Sequence, residues 1–340
     1  MCNSAKSFGL LSLVLVVTLA ARPASADEPK DVRLPPSLMT TLDALGATSG
    51  VPDGIGYSFS PSRPVTGQAA DILLQSTQLG ASVPVWQTPA DAFFVNASVK
   101  AVTLGTNAIL PDDRKPIPNR FWDVLLGGTY IRQLDNGNSV GLSLSFGSAS
   151  DRPFESRRDA TLSALAFYRI PNEDRDAWLL YLVSQTNGQI GHNIPIPGLA
   201  YEFERDFLHG IVGFPFISLT FTPFERTELA FFFAPLTDIR ATASYAITDR
   251  WKAMTGFVWD NQSWFWSGRR RFRDDLLFLY EKRVESSLQY NVTKQVNISI
   301  KGGYAFDRFF VENRGFGLHG RNRIEFGSGP YTAIQANITY

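Results

Sequence analysis

From residue 91 onward the chain keeps returning to one pattern, apolar and polar residues alternating one for one. Val296, Ile298, Ile300, Tyr304 and Phe306 alternate with Gln295, Asn297, Ser299, Lys301 and Asp307. Val140, Leu142, Leu144 and Phe146 alternate with Ser139, Gly141, Ser143 and Ser145, and the last ten residues do the same, ending on Tyr340. A period of two places unlike side chains on opposite faces of a strand. The run at 177–183 is apolar on both faces and on its own would suit a soluble core. About twelve such segments can be read, and residues 68–87 add a further hairpin, for a range of 12–14. No stretch reaches the roughly 20 apolar residues that a spanning helix needs. If the chain crosses a membrane it must therefore do so as strands closed into a barrel. The expected fold class is all-β, a transmembrane antiparallel β-barrel of about 12 strands.

Composition agrees with two cancelling faces. Aromatic residues make up 13% and charged residues 19%, the latter below the roughly 25% of soluble domains, and mean hydropathy is −0.07. A net charge of +0 gives no basis for a nucleic-acid partner. The single cysteine, Cys2, excludes disulfides, cysteine metal sites and thiol chemistry once a leader is removed. Lys6, the apolar run from Phe8 to Ala21, and Ala24-Ser25-Ala26 before Asp27 form the three-part pattern of a secretory signal, so cleavage is expected after Ala26. Residues 27–66 are Pro-rich and polar, and read as a periplasmic tail or a lumen plug. The barrel is expected to occupy 67–340.

Turn lengths set an orientation. Connections at 135–138, 171–175, 223–226, 248–250 and 291–294 are short, and those at 105–120, 188–210, 261–275 and 308–329 are long. In outer-membrane barrels short turns face the periplasm and long loops face outside. This parity puts Tyr130, Tyr168, Trp178, Tyr245, Trp251, Tyr290 and Tyr340 at periplasmic strand ends on the outward face, joined by Phe93 and Phe221. That arrangement is an interfacial aromatic girdle.

The opposite face carries charges of both signs. Lys100, Arg240, Lys252, Glu281, Arg283, Glu285, Lys301 and Asp307 are the lumen-facing candidates, with Asp123, Glu228 and Asp260 beside them. Such residues form either a charge-selective constriction or an ion-paired network that bridges opposite walls and closes the lumen. About twelve strands leave little room, against the roughly 16–18 of open porins. In a loop expected to face outward, Trp264, Trp266, Arg269, Arg270 and Arg271 could grip anionic polysaccharide or lipid phosphates, or form an ordinary solvated loop. None of His192, His209 and His319 has a serine two residues on, the spacing of membrane-embedded esterases, and three scattered histidines make a poor metal site. No catalytic residue, cofactor or metal is expected; a paired-acid hydrolase at Glu281 and Glu285 is the enzyme alternative.

Three stretches carry a family resemblance: Pro197-Gly198-Leu199-Ala200-Tyr201-Glu202-Phe203, Gly302-Gly303-Tyr304-Ala305-Phe306-Asp307-Arg308, and Arg321-Asn322-Arg323 leading to Gly327-Ser328-Gly329-Pro330. In order and spacing they resemble an uncharacterised family of Gram-negative outer-membrane β-barrel proteins, a domain of unknown function. The resemblance implies an outer-membrane location but no functional residues. The expected function is a narrow or gated channel for small solutes. The alternative is a structural or surface-binding barrel with a closed lumen and functional extracellular loops. The implied partners are the lipid bilayer, lipopolysaccharide and, through the C-terminal strand, the barrel-assembly machinery.

Overall fold

The structure is a computed structural model and describes residues 53–338 apart from 173–174, 188–193, 235–237, 268–274 and 316. The expected leader at 1–26 and Tyr340 lie outside the described residues. Strands follow one another as β1 (Gly54–Pro64), β2 (Asp71–Gln87), β3 (Asp91–Thr106), β4 (Arg120–Gln133), β5 (Ser139–Ser150), β6 (Ala160–Pro171), β7 (Ala177–Gln185), β8 (Ile196–Glu204) and β9 (Leu208–Phe214). They continue as β10 (Ile217–Phe224), β11 (Thr227–Ala234), β12 (Asp238–Ala246), β13 (Trp251–Phe265), β14 (Leu276–Asn291), β15 (Val296–Asn313), β16 (Arg321–Phe326) and β17 (Gly329–Ile338).

Each strand pairs antiparallel with the next as far as β15, β15 pairs with β17, and β17 pairs with β1. Closure runs from Gly54 opposite Asn337 to Phe59 opposite Thr332. The short β16 and the longer β17 lie in line against β15, β16 on Arg308–Glu312 and β17 on Val296–Ala305. They are two halves of one wall strand, interrupted at Gly327–Ser328. The wall therefore has 16 strands, not about twelve. The additional strands are β1, β2, β8 and β9. The barrel begins at Gly54, so residues 54–64 belong to the wall and not to a lead-in ending at 66.

The two faces of the wall follow the alternation. Ile55, Leu79, Leu126, Leu142, Leu144, Leu162, Leu180, Leu182, Val284, Ile300 and Ile334 are exposed on the outside. The short turns at 135–138, 171–175, 223–226, 248–250 and 291–294 emerge at the end that holds Gly54 and Ile338, where Trp178, Tyr245 and Trp251 are also exposed, while the two-residue link between β9 and β10 lies at the other end. Trp178 packs 4.8 Å from Tyr201, and Trp251 packs 4.7 Å from Tyr290. Among the described residues no helix is long and apolar enough to cross a membrane.

Wall height is uneven. β2, β3, β14 and β15 have 17, 16, 16 and 18 residues, whereas β7 to β12 have seven to nine. At about 3.3 Å per residue and a tilt near 40°, the tall side rises about 40 Å and the low side about 20 Å. The tall strands therefore carry surplus length at the end opposite Gly54 and Ile338. That surplus carries a buried apolar cluster on its inner side.

Candidate functional site: a pinched lumen

A ring of 16 strands spaced about 4.8 Å apart and tilted about 40° has a diameter near 30 Å if round. This one is not round. Phe265 at the end of β13 forms a parallel bridge with Ser150 at the end of β5. These strands are half a ring apart, with β6 to β12 between them one way and β14, β15, β17 and β1 to β4 the other. The contact continues past the strand ends: the Ser267 amide donates to Asp151 Oδ1 at 2.7 Å, and the Ser267 hydroxyl donates to the Arg152 carbonyl at 3.3 Å. Burial pushes the Asp151 carboxyl up, against the pull of the Ser267 amide. Opposite walls thus meet at the far end of the barrel, between a tall lobe and a low lobe of the lumen.

Aromatic packing fixes the pinch. Phe121 on β4 stacks on Trp264 at 4.9 Å and on Phe310 of β15 at 6.5 Å. Around them lie Ile72, Leu74, Val102, Leu104, Leu277, Leu279, Ile324 and Phe326, all buried. The 107–119 connection folds onto this cluster with Ala108, Leu110 and Ile117 and roofs the tall lobe. Its polar backbone is answered from the far side. The Asp112 and Asp113 amides donate to Asn322 Oδ1, the Asn322 amide donates to Asp112 Oδ2 at 2.6 Å, and Arg321 donates to Asp113 at 2.7 Å. Asn322 also donates to Glu312.

Beneath this roof runs a belt of charge. Lys100 faces Asp123 directly across the β3–β4 ladder and lies within electrostatic reach of Asp260, Arg283 and Arg240 on the opposite wall. Arg283 donates to Glu281 at 2.8 Å and stands 3.8 Å from both Asp260 and Glu285. Glu281 accepts from Arg308 at 2.6 Å, and Glu285 accepts from the Tyr331 hydroxyl. Arg240 pairs with Asp238, and Lys252 with Glu228 at 3.3 Å. A lower chain of neutral groups runs Ser82, Asn96, Thr129, Ser143 in steps of 2.6, 2.9 and 2.9 Å.

The sequence expectations fare unevenly against this geometry. Seven of the lumen candidates, Lys100, Arg240, Lys252, Glu281, Arg283, Glu285 and Lys301, lie on the inward positions of their strands. Asp307 does not. A bulge leaves β15 one residue longer than β14 between Phe306 and Phe309, Asp307 takes φ 49°, and its side chain pairs outside the barrel with Lys282 at 2.7 Å. Lys282, the odd cation on the apolar face, also sits 5.1 Å from the Trp259 ring. Trp264 and Trp266 are not surface-loop residues: both are buried in the cluster under the roof. Arg269, Arg270 and Arg271 lie outside the described residues. Nor is the lumen polar throughout. Ile131, Leu165, Phe167, Leu179, Tyr181, Ala200, Ile211 and Phe216 form a second apolar cluster on the inner side of the low lobe, which is why 177–183 reads as apolar on both faces. The residues that sequence reading missed are Phe121, Arg63, Arg308 and Tyr331.

No protein-family model matches the chain, and no curated protein does. Solved structures do. One is the β domain of the Bordetella autotransporter BrkA, at 8% identity over 85% of this chain and 99% of that one, with a TM-score of 0.29. Another is an outer-membrane channel from Pseudomonas putida F1, at 10% identity over 85% and 96%, with a TM-score of 0.32. A third is the copper transporter OprC, at 11% identity over 78% of this chain and 58% of that one, with a TM-score of 0.24.

Proposed function

We propose that this chain is a barrel of the Gram-negative outer membrane whose lumen is a gated path for small solutes, held shut at its extracellular end. Membrane residence is supported by the exposed apolar outer face and by the aromatic residues gathered at one end. Orientation follows from the short turns at that same end, which faces the periplasm. The strand that closes the ring, β17, is the segment that assembly machinery would handle, and the outer face meets lipid and lipopolysaccharide.

The observation that carries the gating reading is the contact between β5 and β13. Sixteen strands are enough for an aqueous channel, and small polar residues line the lower lumen. What blocks passage is one aromatic seam and one roofing segment. Opening requires the two walls to part where Phe121 meets Trp264. The belt below would then select by charge. The packed roof favours the second reading, a closed barrel that works through its loops.

Single-channel recording of the refolded protein in planar bilayers separates the two. The gated reading expects wild-type protein to be mostly silent and Trp264→Ala to show discrete conductance steps whose ion selectivity changes with Arg283→Ala. A folded Trp264→Ala protein that stays silent across voltage and salt would overturn it.

A further inference from the structure

We infer that the tall lobe holds a binding site for an oxyanion, a phosphate or carboxylate group on a small solute, formed by Arg63, Arg308 and Arg283 beneath the roof. Three guanidinium groups converge on the junction of β16 and β17. Arg308 lies with its Cζ 4.5 Å from the Phe326 ring, and Arg283 lies 5.5 Å from the Tyr331 ring. Between those two aromatics is Gly329, and the Arg63 guanidinium rests against it. A Cβ built at Gly329 would meet Arg63 Nε at 1.9 Å and its Cζ at 2.6 Å. Any side chain at 329 would displace the guanidinium from this position.

The donors there outnumber the acceptors. Glu281 takes one bond from Arg283 and one from Arg308, and Glu285 is engaged by the Tyr331 hydroxyl. Arg63 Nε and Arg308 Nη2 are buried and have no hydrogen-bond partner; Arg283 Nε has none either but faces Glu285 at 3.8 Å. The Arg308 side chain is 1% exposed, so its spare N–H is not turned to bulk water. Buried guanidinium N–H groups without acceptors are costly. A planar fork that presents several such donors matches the geometry of phosphate and carboxylate. Asp260, Glu281 and Glu285 cluster around Arg283 and Arg308, and no carboxylate lies within ion-pair distance of Arg63 among the described residues. The lumen below, lined by Ser58, Gln78, Ser299 and Gln335, gives a small anion a polar approach from the periplasmic side. The site therefore stands whether or not the extracellular seam opens.

Isothermal titration of the refolded full-length protein with inorganic phosphate, against chloride at matched ionic strength, tests this. Wild-type protein should bind phosphate saturably. Arg63→Gln should weaken it about tenfold or more, the loss of one charge-assisted contact, while remaining folded because Arg63 holds no other residue. Arg308→Lys keeps a charge beside Glu281, removes the spare N–H and should weaken binding as well. The absence of saturable heat with folded wild-type protein would overturn the inference, as would phosphate affinity unchanged in both variants.

Discussion

Replacing Trp264 with alanine discriminates sharply between a surface loop and a cross-lumen seam. Trp264 is 2% exposed and stacks on Phe121 at 4.9 Å with the rings 26° apart. Truncating a buried Phe or Trp to alanine in a close-packed core costs about 3–5 kcal/mol, and the aromatic pair adds about 0.5–1.5 kcal/mol beyond area burial. A solvated loop residue would cost within about 0.5 kcal/mol. Equilibrium urea unfolding in lipid vesicles, read as a change in midpoint at constant slope, measures the difference. A double-mutant cycle with Phe121→Ala then isolates the pair and should return a coupling of about 0.5–1.5 kcal/mol. The partner ring comes from β4, across the lumen, so that coupling reports wall against wall. A stability change below about 0.5 kcal/mol, or zero coupling, would refute the seam.

Other predictions follow from the same contacts. Glu281→Ala strips the carboxylate from Arg283 and from the buried Arg308, and should cost about 3–5 kcal/mol in the same urea assay, with much of it recovered in Glu281→Ala/Arg308→Met. Asn322→Ala removes the side-chain oxygen that accepts from the Asp112 and Asp113 amides and the side-chain NH2 that donates to Asp113 and Glu312, and leaves only the Asn322 backbone N–H and Arg321 as ties to the 107–119 segment, so limited proteolysis between Leu110 and Lys115 should accelerate while the global unfolding midpoint moves far less. Asp176, in the turn before β7, is held well below the usual carboxylate range by the Arg205 guanidinium and the Tyr201 hydroxyl. A lowered folded-state value means that its stabilisation is complete above the ordinary aspartate range, near pH 4, and is lost as pH falls below it. Acid unfolding of Asp176→Asn should therefore be less steep than that of wild type over this interval.

The legible part of the fold is the part written in local alternation. β3, β5, β13 and β15 announce themselves because an outward Leu, Val or Phe at every second position has no other use. β8 and β9 do not, because Pro197, Gly198, Gly210 and Gly213 interrupt strands of only nine and seven residues. β1 hides behind its serines and prolines, although Ile55 and Tyr57 already mark its outer face. The bulge at Asp307 shows how one extra residue sends every later side chain to the other face: it turned Asp307 out and brought Arg308 and Phe310 in. The charged belt could be listed from the sequence, and the Lys100–Asp123 pair follows from adjacent strands. The seam could not be foreseen. Phe265 and Ser150 are half a ring apart, and no local pattern encodes a contact between strands that share no turn. For Trp264 and Trp266 the arginines that follow suggest a wet loop, while β13 in fact runs to Phe265 and carries both indoles into the core.

Opposite walls of this 16-stranded barrel touch at Ser150 and Phe265. Cysteine cross-linking of Ser150→Cys/Phe265→Cys, with Cys2 replaced, in protein refolded into bilayers reads this contact. These residues are bridge partners, which places their Cα atoms within the reach of about 4.4–6.8 Å that a disulfide requires. A rapid intramolecular disulfide should form under mild oxidation, and the protein should stay silent in planar bilayers until it is reduced and the seam is mutated. Cysteines that remain free in a folded barrel, as a round wall about 30 Å across would leave them, would contradict this contact.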